Sequence, residues 1–217
     1  SAMQTQPRSA SVRAELALAR WRMGLRSDAE KTFQTARDLN DKDFKALYWS
    51  GLYQFETGNL EQARLYLSRA LEQKPNSMDA LLASGLVHEK RGEVLEADAL
   101  YQRMLTLNPA DPNALFRLGA MAQQSNNLTL AEHYYREVLK VQPDHQEALM
   151  ALARIYGMQR YYPQAAQLLE DILRLYPGNN SALYNLAYTC RQMGDQARAQ
   201  KLYIQLLEKN PEDSQAW

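Results

Sequence analysis

The chain has 217 residues and a formal net charge of zero, because 25 lysines and arginines balance 25 aspartates and glutamates. This neutral balance argues against nucleic acid as a partner, since nucleic-acid binding depends on clustered basic side chains. No apolar run approaches the ~20 residues that a membrane-spanning helix needs. The single cysteine, Cys190, excludes a disulfide framework within the chain.

Residues 1–9 have no periodic pattern, and we expect this tail to be mobile. Its first three residues, Ser1-Ala2-Met3, match a cleavage scar left by an expression vector. No secretory signal is visible. The absence of a targeting segment from a trimmed sequence is weak evidence about location, so the sequence leaves the choice between cytoplasm and periplasm open.

From residue 10 onward the chain repeats every 34 residues. A proline, an alanine and a small residue each recur at this step, at Pro75, Pro109, Pro143, Pro177 and Pro211, at Ala29, Ala63, Ala97, Ala131, Ala165 and Ala199, and at Ala17, Gly51, Gly85, Gly119, Ala153 and Ala187. A fixed period of this size indicates units that stack on their neighbours. It predicts one continuous array over residues 10–217, with units at 10–43, 44–77, 78–111, 112–145, 146–179 and 180–213 and a truncated unit at 214–217.

Each unit has the pattern helix, turn, helix, as the second unit illustrates. Side chains at three-to-four spacing predict a first helix that is ended by Gly58, because glycine adopts the left-handed conformation without a clash. The second helix is predicted over residues 60–73, with Asn59 as its capping side chain and Pro75 as its stop. Arg160 stands where other units have glycine or asparagine, which predicts a strained or differently shaped turn there.

The recurring residues resemble those of the tetratricopeptide repeat, which has a bulky residue at unit position 4, a small one at 8, alanine at 20, an aromatic at 24 and proline at 32. The resemblance covers residues 10–217. The first unit departs most, with Arg13 at position 4 and Asp41 at position 32, and we expect it to act as a cap or to fray. Position 4 otherwise reads Leu47, Leu81, Leu115, Leu149 and Leu183, and position 24 reads Phe33, Leu67, Tyr101, Tyr135, Leu169 and Tyr203.

The resemblance implies an all-α fold, a right-handed superhelical solenoid of antiparallel helix pairs. Solenoids usually end in a helix with a polar outer face, and none follows Trp217 in this sequence. We therefore expect the chain to be truncated out of a longer protein. The apolar face after Leu207 is then a candidate surface for a homodimer through the uncapped C-terminal end.

In the family, unit positions 2, 5, 9 and 12 of the first helices face a concave groove. An apolar and aromatic strip of this kind typically marks an interaction site, and aromatic side chains anchor such sites well. The alternative is that these side chains only pack against the neighbouring first helix. Transferred to this sequence, the candidate partner-binding residues are Tyr48, Leu52, Phe55, Leu82, Leu86, Phe116, Met150, Arg154, Tyr184, Tyr188 and Arg191.

Two specialised uses of the family groove do not fit these residues. The members that grip the C-terminal carboxylate of heat-shock chaperones use Lys and Asn on adjacent units, whereas here only dispersed residues such as Lys45 and Asn185 are of that type. The asparagine ladder of the sugar-transferase members is also missing. An apolar helix or extended peptide is the better prediction for the ligand.

Residues that could carry chemistry are few and scattered. His88 and Cys190 occupy the position where the family has a core aromatic, so we expect a hydrogen-bonded histidine and a buried, inert thiol. His133 is expected on the outer surface of a second helix. No paired histidines, paired cysteines or glycine-rich phosphate loop occurs at ligand spacing, and we predict no metal site, no cofactor and no catalytic site.

Three hypotheses remain open from the sequence. The first is a non-catalytic protein–protein interaction scaffold that binds a partner segment in its groove. The second is a self-assembly module, in which identical chains associate. The third is an arm of a larger enzyme or of a bacterial secretion or polysaccharide-export protein.

Overall fold

A computed structural model of the chain describes residues 9–209, and in that range it contains twelve α-helices and no β-strand. The predicted all-α fold is confirmed. Of the tail predicted to be mobile, residues 1–9, only Ser9 is among the described residues, and its side chain caps the first helix. The truncated unit at 214–217 lies outside them. The chain divides into two compact units with the boundary between Pro109 and Ala110, so the single continuous array over residues 10–217 stays a prediction.

The first compact unit contains three helix pairs. Within a pair only two or three residues separate the helices, and a connection this short makes them antiparallel neighbours. Helices of adjacent pairs also pack, since α3 contacts α1, α2 and α5 and α4 contacts α5. The helices are α1 (Ala10–Arg22), α2 (Arg26–Leu39), α3 (Phe44–Glu56), α4 (Leu60–Gln73), α5 (Met78–Arg91) and α6 (Val94–Leu107).

The second compact unit repeats this arrangement with three more pairs. Here α8 packs on α9 and α10 packs on α11, which joins each pair to the next. The predicted second helix at residues 60–73 agrees with α4. The helices are α7 (Pro112–Gln124), α8 (Leu128–Val141), α9 (Gln146–Met158), α10 (Tyr162–Leu175), α11 (Asn180–Gln192) and α12 (Gln196–Lys209).

Side chains cap the first helix of every pair. Asp43, for example, accepts a hydrogen bond from the backbone N–H of Ala46 at 2.9 Å and so satisfies a donor that the helix itself leaves open. The predicted cap at Asn59 is wrong, because its side chain accepts no hydrogen bond from α4. At the same step in later units Asn127 and Asp195 do cap, accepting from backbone N–H groups at 3.2 and 3.0 Å.

The turns inside the pairs share one left-handed residue. Gly58 has φ +84°, as the sequence predicts. Arg160 has φ +64°, so this turn has the shape of the others and the expectation of a different shape is wrong. The conformation is nevertheless costly there, because a Cβ atom crowds the following carbonyl in the left-handed region.

The core lies between the paired helices, where small residues face large ones. The alanine that recurs at unit position 20 is fully buried in most units, and so are Phe33, Leu67 and Tyr101 at position 24. The three glycines at position 8 are required by close approach, since a Cβ on Gly85 would lie 2.4 Å from Cε1 of Tyr101. Such a residue pattern holds the two helices of a pair at a fixed short distance.

Candidate functional site

An open depression of about 700 Å³ lies on the first helices of the second compact unit. It includes the predicted residues Phe116, Met150 and Arg154, and we call it the Met150 cavity. Positions 5, 9 and 12 of the repeat supply five of its twelve lining residues. Its lining is Phe116, Ala120, Gln123, Gln124, Tyr135, Gln146, Glu147, Met150, Ala151, Arg154, Met158 and Asn185.

Packing fixes the aromatic side of the Met150 cavity. The Phe116 ring stacks on His145, with centroids 5.1 Å apart, and lies 5.6 Å from the ring of Tyr135. The Tyr135 hydroxyl donates to Oε1 of Gln123 at 3.1 Å. Burial raises the pKa of Tyr135, and the positive charge of Arg154 acts in the opposite direction. The guanidinium therefore lies close enough to the cavity wall for its field to act there.

A second, smaller cavity of about 300 Å³ adjoins the first on α9 and α11. It shares Arg154, Met158 and Asn185 with the Met150 cavity and adds the predicted residue Tyr188, and we call it the Tyr188 cavity. The Tyr188 ring is 43% exposed. Arg191 lies outside the cavity lining, but its guanidinium stands 5.2 Å from the Tyr188 ring centroid in a cation–π arrangement.

The first compact unit has its own depression of about 370 Å³, on α1 and α3. Leu52 is the predicted residue in its wall, and Trp21 and Trp49 supply most of its aromatic surface. We call it the Trp49 cavity; its lining is Leu18, Trp21, Arg22, Trp49, Leu52 and Glu56. Arg22 and Glu56 are exposed and give it one charge of each sign.

Tyr48 and Phe55 are partly buried against the protein's own core. Together with Leu52 they pack on a buried cluster that includes Leu67 and Val87. Burial raises the pKa of Tyr48 to about 12, with a smaller contribution from the charge of Asp79. For these side chains the packing alternative describes much of their environment, although all three keep part of their surface exposed.

The other predicted residues are half-buried. Leu82 and Leu86 have this exposure on α5, and Tyr184 has it on α11. The Tyr184 ring makes an edge contact with Tyr203, with centroids 6.0 Å apart. The structure thus brings Phe116, Met150, Arg154 and Tyr188 to adjoining cavities, and leaves the remaining candidates on separate parts of the first helices.

Sequence reasoning missed the residues at unit positions 6 and 13. Position 6 supplies Trp49, Ala151 and Asn185 to the cavity walls, and position 13 supplies Gln124 and Met158. The signal was available, because position 13 lies one helical turn beyond position 9 and position 6 is adjacent to position 5. Extending the predicted strip by one turn would have included position 13, and widening it by one residue would have included position 6.

The surroundings of His88 and Cys190 are those of structural residues. Nδ1 of His88 lies 2.6 Å from Oε2 of Glu93, and the Cys190 thiol is fully buried, which raises its pKa. His133 is exposed on α8, as predicted. Within residues 9–209 no group of three histidine, cysteine, aspartate or glutamate side chains could hold a metal ion. Nor does any helix in that range have the length and apolar character to cross a membrane.

Models of the tetratricopeptide repeat match most of the chain. One matches residues 15–77, 56–114 and 116–180, and a second matches residues 158–217. No curated protein sequence matches the chain at a significant level.

Several solved structures are similar to the chain over most of its length. PilW, described as a widely conserved type IV pilus biogenesis factor, has a TM-score of 0.80 at 19% identity, over 94% of each chain. PilF of Pseudomonas aeruginosa has a TM-score of 0.79 at 16% identity, over 94% of this chain and 92% of that one. YrrB, a repeat protein with an unusual peptide-binding site, has a TM-score of 0.65 at 18% identity, over 83% of this chain and 93% of that one. At these identities the similarity establishes the fold alone.

Proposed function

Because the chain belongs to the tetratricopeptide repeat family, we propose that it is a non-catalytic protein–protein interaction scaffold that binds a partner helix or extended peptide along its first helices. The observation that carries this proposal is the Met150 cavity, an open space of about 700 Å³. A depression of this size accommodates several side chains of a peptide, and its wall combines apolar anchors with amide groups that can pair with a peptide backbone.

The partner that fits this surface is apolar or aromatic. Phe116 and Met150 supply apolar area, and the methionine side chain can adapt its shape to different ligands. Gln123, Gln124 and Asn185 offer amide donors and acceptors at the rim. We propose no nucleic acid as a partner, no cofactor and no metal.

Panning the immobilised protein against a random-peptide display library tests the proposal. We expect enrichment of peptides with aromatic or long aliphatic residues, and an Ala120→Glu substitution should weaken their binding at least about tenfold because it fills the Met150 cavity with a charged side chain. Ala197→Glu is the matched control, since Ala197 is an exposed residue on α12. Equal binding to the parent and to Ala120→Glu would contradict the proposed site.

Self-association is a second candidate, favoured by one observation. Ile204 and Leu207 on α12 are 48% and 42% exposed, so this helix presents apolar surface within the described residues. Light scattering on the chain and on a version extended by one complete repeat separates the two cases. A dimer that persists after extension would support self-assembly, whereas a dimer lost on extension would show that the contact depends on the uncovered helix.

An arm of a bacterial pilus or secretion machine is the third candidate. It draws on the similarity in fold to PilW and PilF, which covers 94% of this chain in both cases. The peptide-binding role of the first helices is compatible with such an arm, because a machine component of this kind would act by holding another protein.

A further inference from the structure

The charges on the first helices differ between the two compact units. In the first compact unit, positions 2, 5, 6, 9 and 12 of the three repeats carry one base, Lys45, and three acids, Glu15, Asp79 and Glu89. In the second unit the same positions carry three arginines, Arg117, Arg154 and Arg191, and one acid, Glu147. The second-unit surface is therefore basic although the whole chain is neutral.

Arg154 is the central charge of this basic surface. It is exposed and belongs to the walls of both the Met150 cavity and the Tyr188 cavity. Within residues 9–209 its guanidinium makes no ion pair and no side-chain hydrogen bond. The basic residue on the first-unit surface behaves differently, because Nζ of Lys45 pairs with Oε1 of Glu15 at 2.7 Å.

Other arginines of the second unit are engaged by the fold. Arg136 contacts Glu132 at 2.9 Å, Arg174 contacts Asp171 at 2.8 Å, and Arg198 contacts Glu170. All three lie on second helices. The charge of Arg154, in contrast, has no acidic partner among residues 9–209, and it lies in the wall of an open cavity.

Arg191 adds a second guanidinium to this region. It is held against the exposed face of Tyr188 through its cation–π contact, which limits the orientations of the side chain. In the part of the chain that the structure describes it has no carboxylate partner. A guanidinium that lies over an aromatic ring still has N–H donors in its own plane, and these remain available to a carboxylate.

We propose that the second unit selects a peptide in which acidic side chains flank an aromatic or aliphatic anchor, with Arg154 as the residue that determines this preference. The inference rests on the proposed function and adds the charge of the partner. The anchor enters the Met150 cavity beside Phe116, and a neighbouring Asp or Glu side chain pairs with Arg154. Charge complementarity of this kind raises the association rate and excludes basic competitors.

The same display library tests the inference when its peptides are fused at both ends, so that no free terminal carboxylate is present. We expect Asp and Glu to be enriched over Lys and Arg next to the apolar anchors. Arg154→Glu should weaken the selected peptides about tenfold and should select Lys and Arg when it is panned in turn. Arg174→Glu changes the net charge equally at an exposed site outside the cavities and should leave the peptide preference unchanged.

The possible outcomes separate the two proposals. Apolar peptides without acidic enrichment, lost on Ala120→Glu but bound equally by Arg154→Glu, would overturn the charge inference and leave the interaction site intact. Enrichment only in a library with free C-termini would overturn it in favour of a terminal carboxylate. If no peptide is retained, or if Ala120→Glu binds the same peptides, the proposed site fails and the inference fails with it.

Discussion

Replacing Gly85 by alanine should destabilise the protein, although alanine is the better helix former. Gly85 lies inside α5, opposite Tyr101 of α6. A Cβ at this position would lie 2.4, 2.6 and 2.9 Å from Cε1, Cζ and Oη of Tyr101. The tyrosine ring is fully buried and rigid, so either the ring or the helix must move.

The magnitude follows from two opposing terms. Alanine gains about 1 kcal/mol over glycine in a helix interior. Overpacking a well-packed core costs roughly 1–3 kcal/mol, and contacts this short with a rigid buried ring place the cost in the upper half of that range. The net loss should be about 1–2 kcal/mol, which lowers the melting temperature by roughly 2–8 °C for a chain of this size.

Thermal and urea denaturation followed by circular dichroism measure this loss, and Gly157→Ala is the matched control. Gly157 is the next-to-last residue of α9, and a Cβ added there meets no atom within 4 Å. Because helix propensity counts less at a helix end than in its interior, the control should stabilise the protein slightly, by less than about 0.5 kcal/mol. The two glycines thus predict shifts of opposite sign for the same substitution.

A second substitution should rescue the first. In the fifth repeat the chain itself pairs alanine with leucine, Ala153 with Leu169, and both are buried. Tyr101→Leu in the Gly85→Ala background should recover part of the lost stability, whereas Tyr101→Leu alone should destabilise by opening space. If Gly85→Ala melts at or above the parent temperature, the close approach of α5 and α6 is not what requires the glycine.

Three further experiments test the local chemistry. The hydrogen bonds from Arg91 and His88 lower the pKa of Glu93 to about 2, below its value in the unfolded chain. Its contribution to stability is therefore present at neutral pH and is lost as the pH falls from about 5 toward 2. Over that range the free energy of unfolding of Glu93→Gln should change less with pH than that of the parent. Cys190 should react with a thiol reagent only on unfolding, since burial removes access and raises the thiol pKa, and rapid labelling of the native protein would contradict its position. Arg160→Gly should stabilise the protein by about 0.5–1 kcal/mol in urea denaturation, because it relieves a left-handed residue; a loss of stability would mean that the arginine side chain makes a compensating contact.

The fold could be predicted from the sequence because the same residue types recur at the same repeat positions, so that one departing residue does not change the prediction. A single glycine is weak evidence for a helix end, but the same position recurs at a 34-residue step. The structure has a left-handed residue at each of the six turns inside a pair, namely Gly24, Gly58, Gly92, Asn126, Arg160 and Gly194. Individual caps were less predictable. Asn59 and Asn127 occupy the same position with the same residue type, yet only Asn127 accepts a helix N–H. That outcome depends on side-chain torsions, which a repeat pattern does not encode.

The site was harder to predict because exposure is not periodic. Tyr48 and Met150 both stand at position 5 and both pack on a core cluster, but Met150 also lines an open cavity. The neighbours differ. Leu52 and Phe55 pack on the same cluster as Tyr48, whereas the equivalent positions beside Met150 carry Arg154 and Gly157, and a Cβ added to Gly157 would meet no atom within 4 Å. Whether the side chain at a recurring position is covered or lines a cavity therefore depends on the volume of the side chains in the adjacent turn. That volume differs from repeat to repeat.

The same reasoning explains why the charge of Arg154 matters more than its unit position. Position 9 carries leucine in the first three repeats and arginine, Arg154, in the fifth. The Arg154 guanidinium is exposed and pairs with no acid among residues 9–209. Its charge stays hydrated in the absence of a partner. We propose that a ligand carboxylate neutralises it in the two cavities that Arg154 lines.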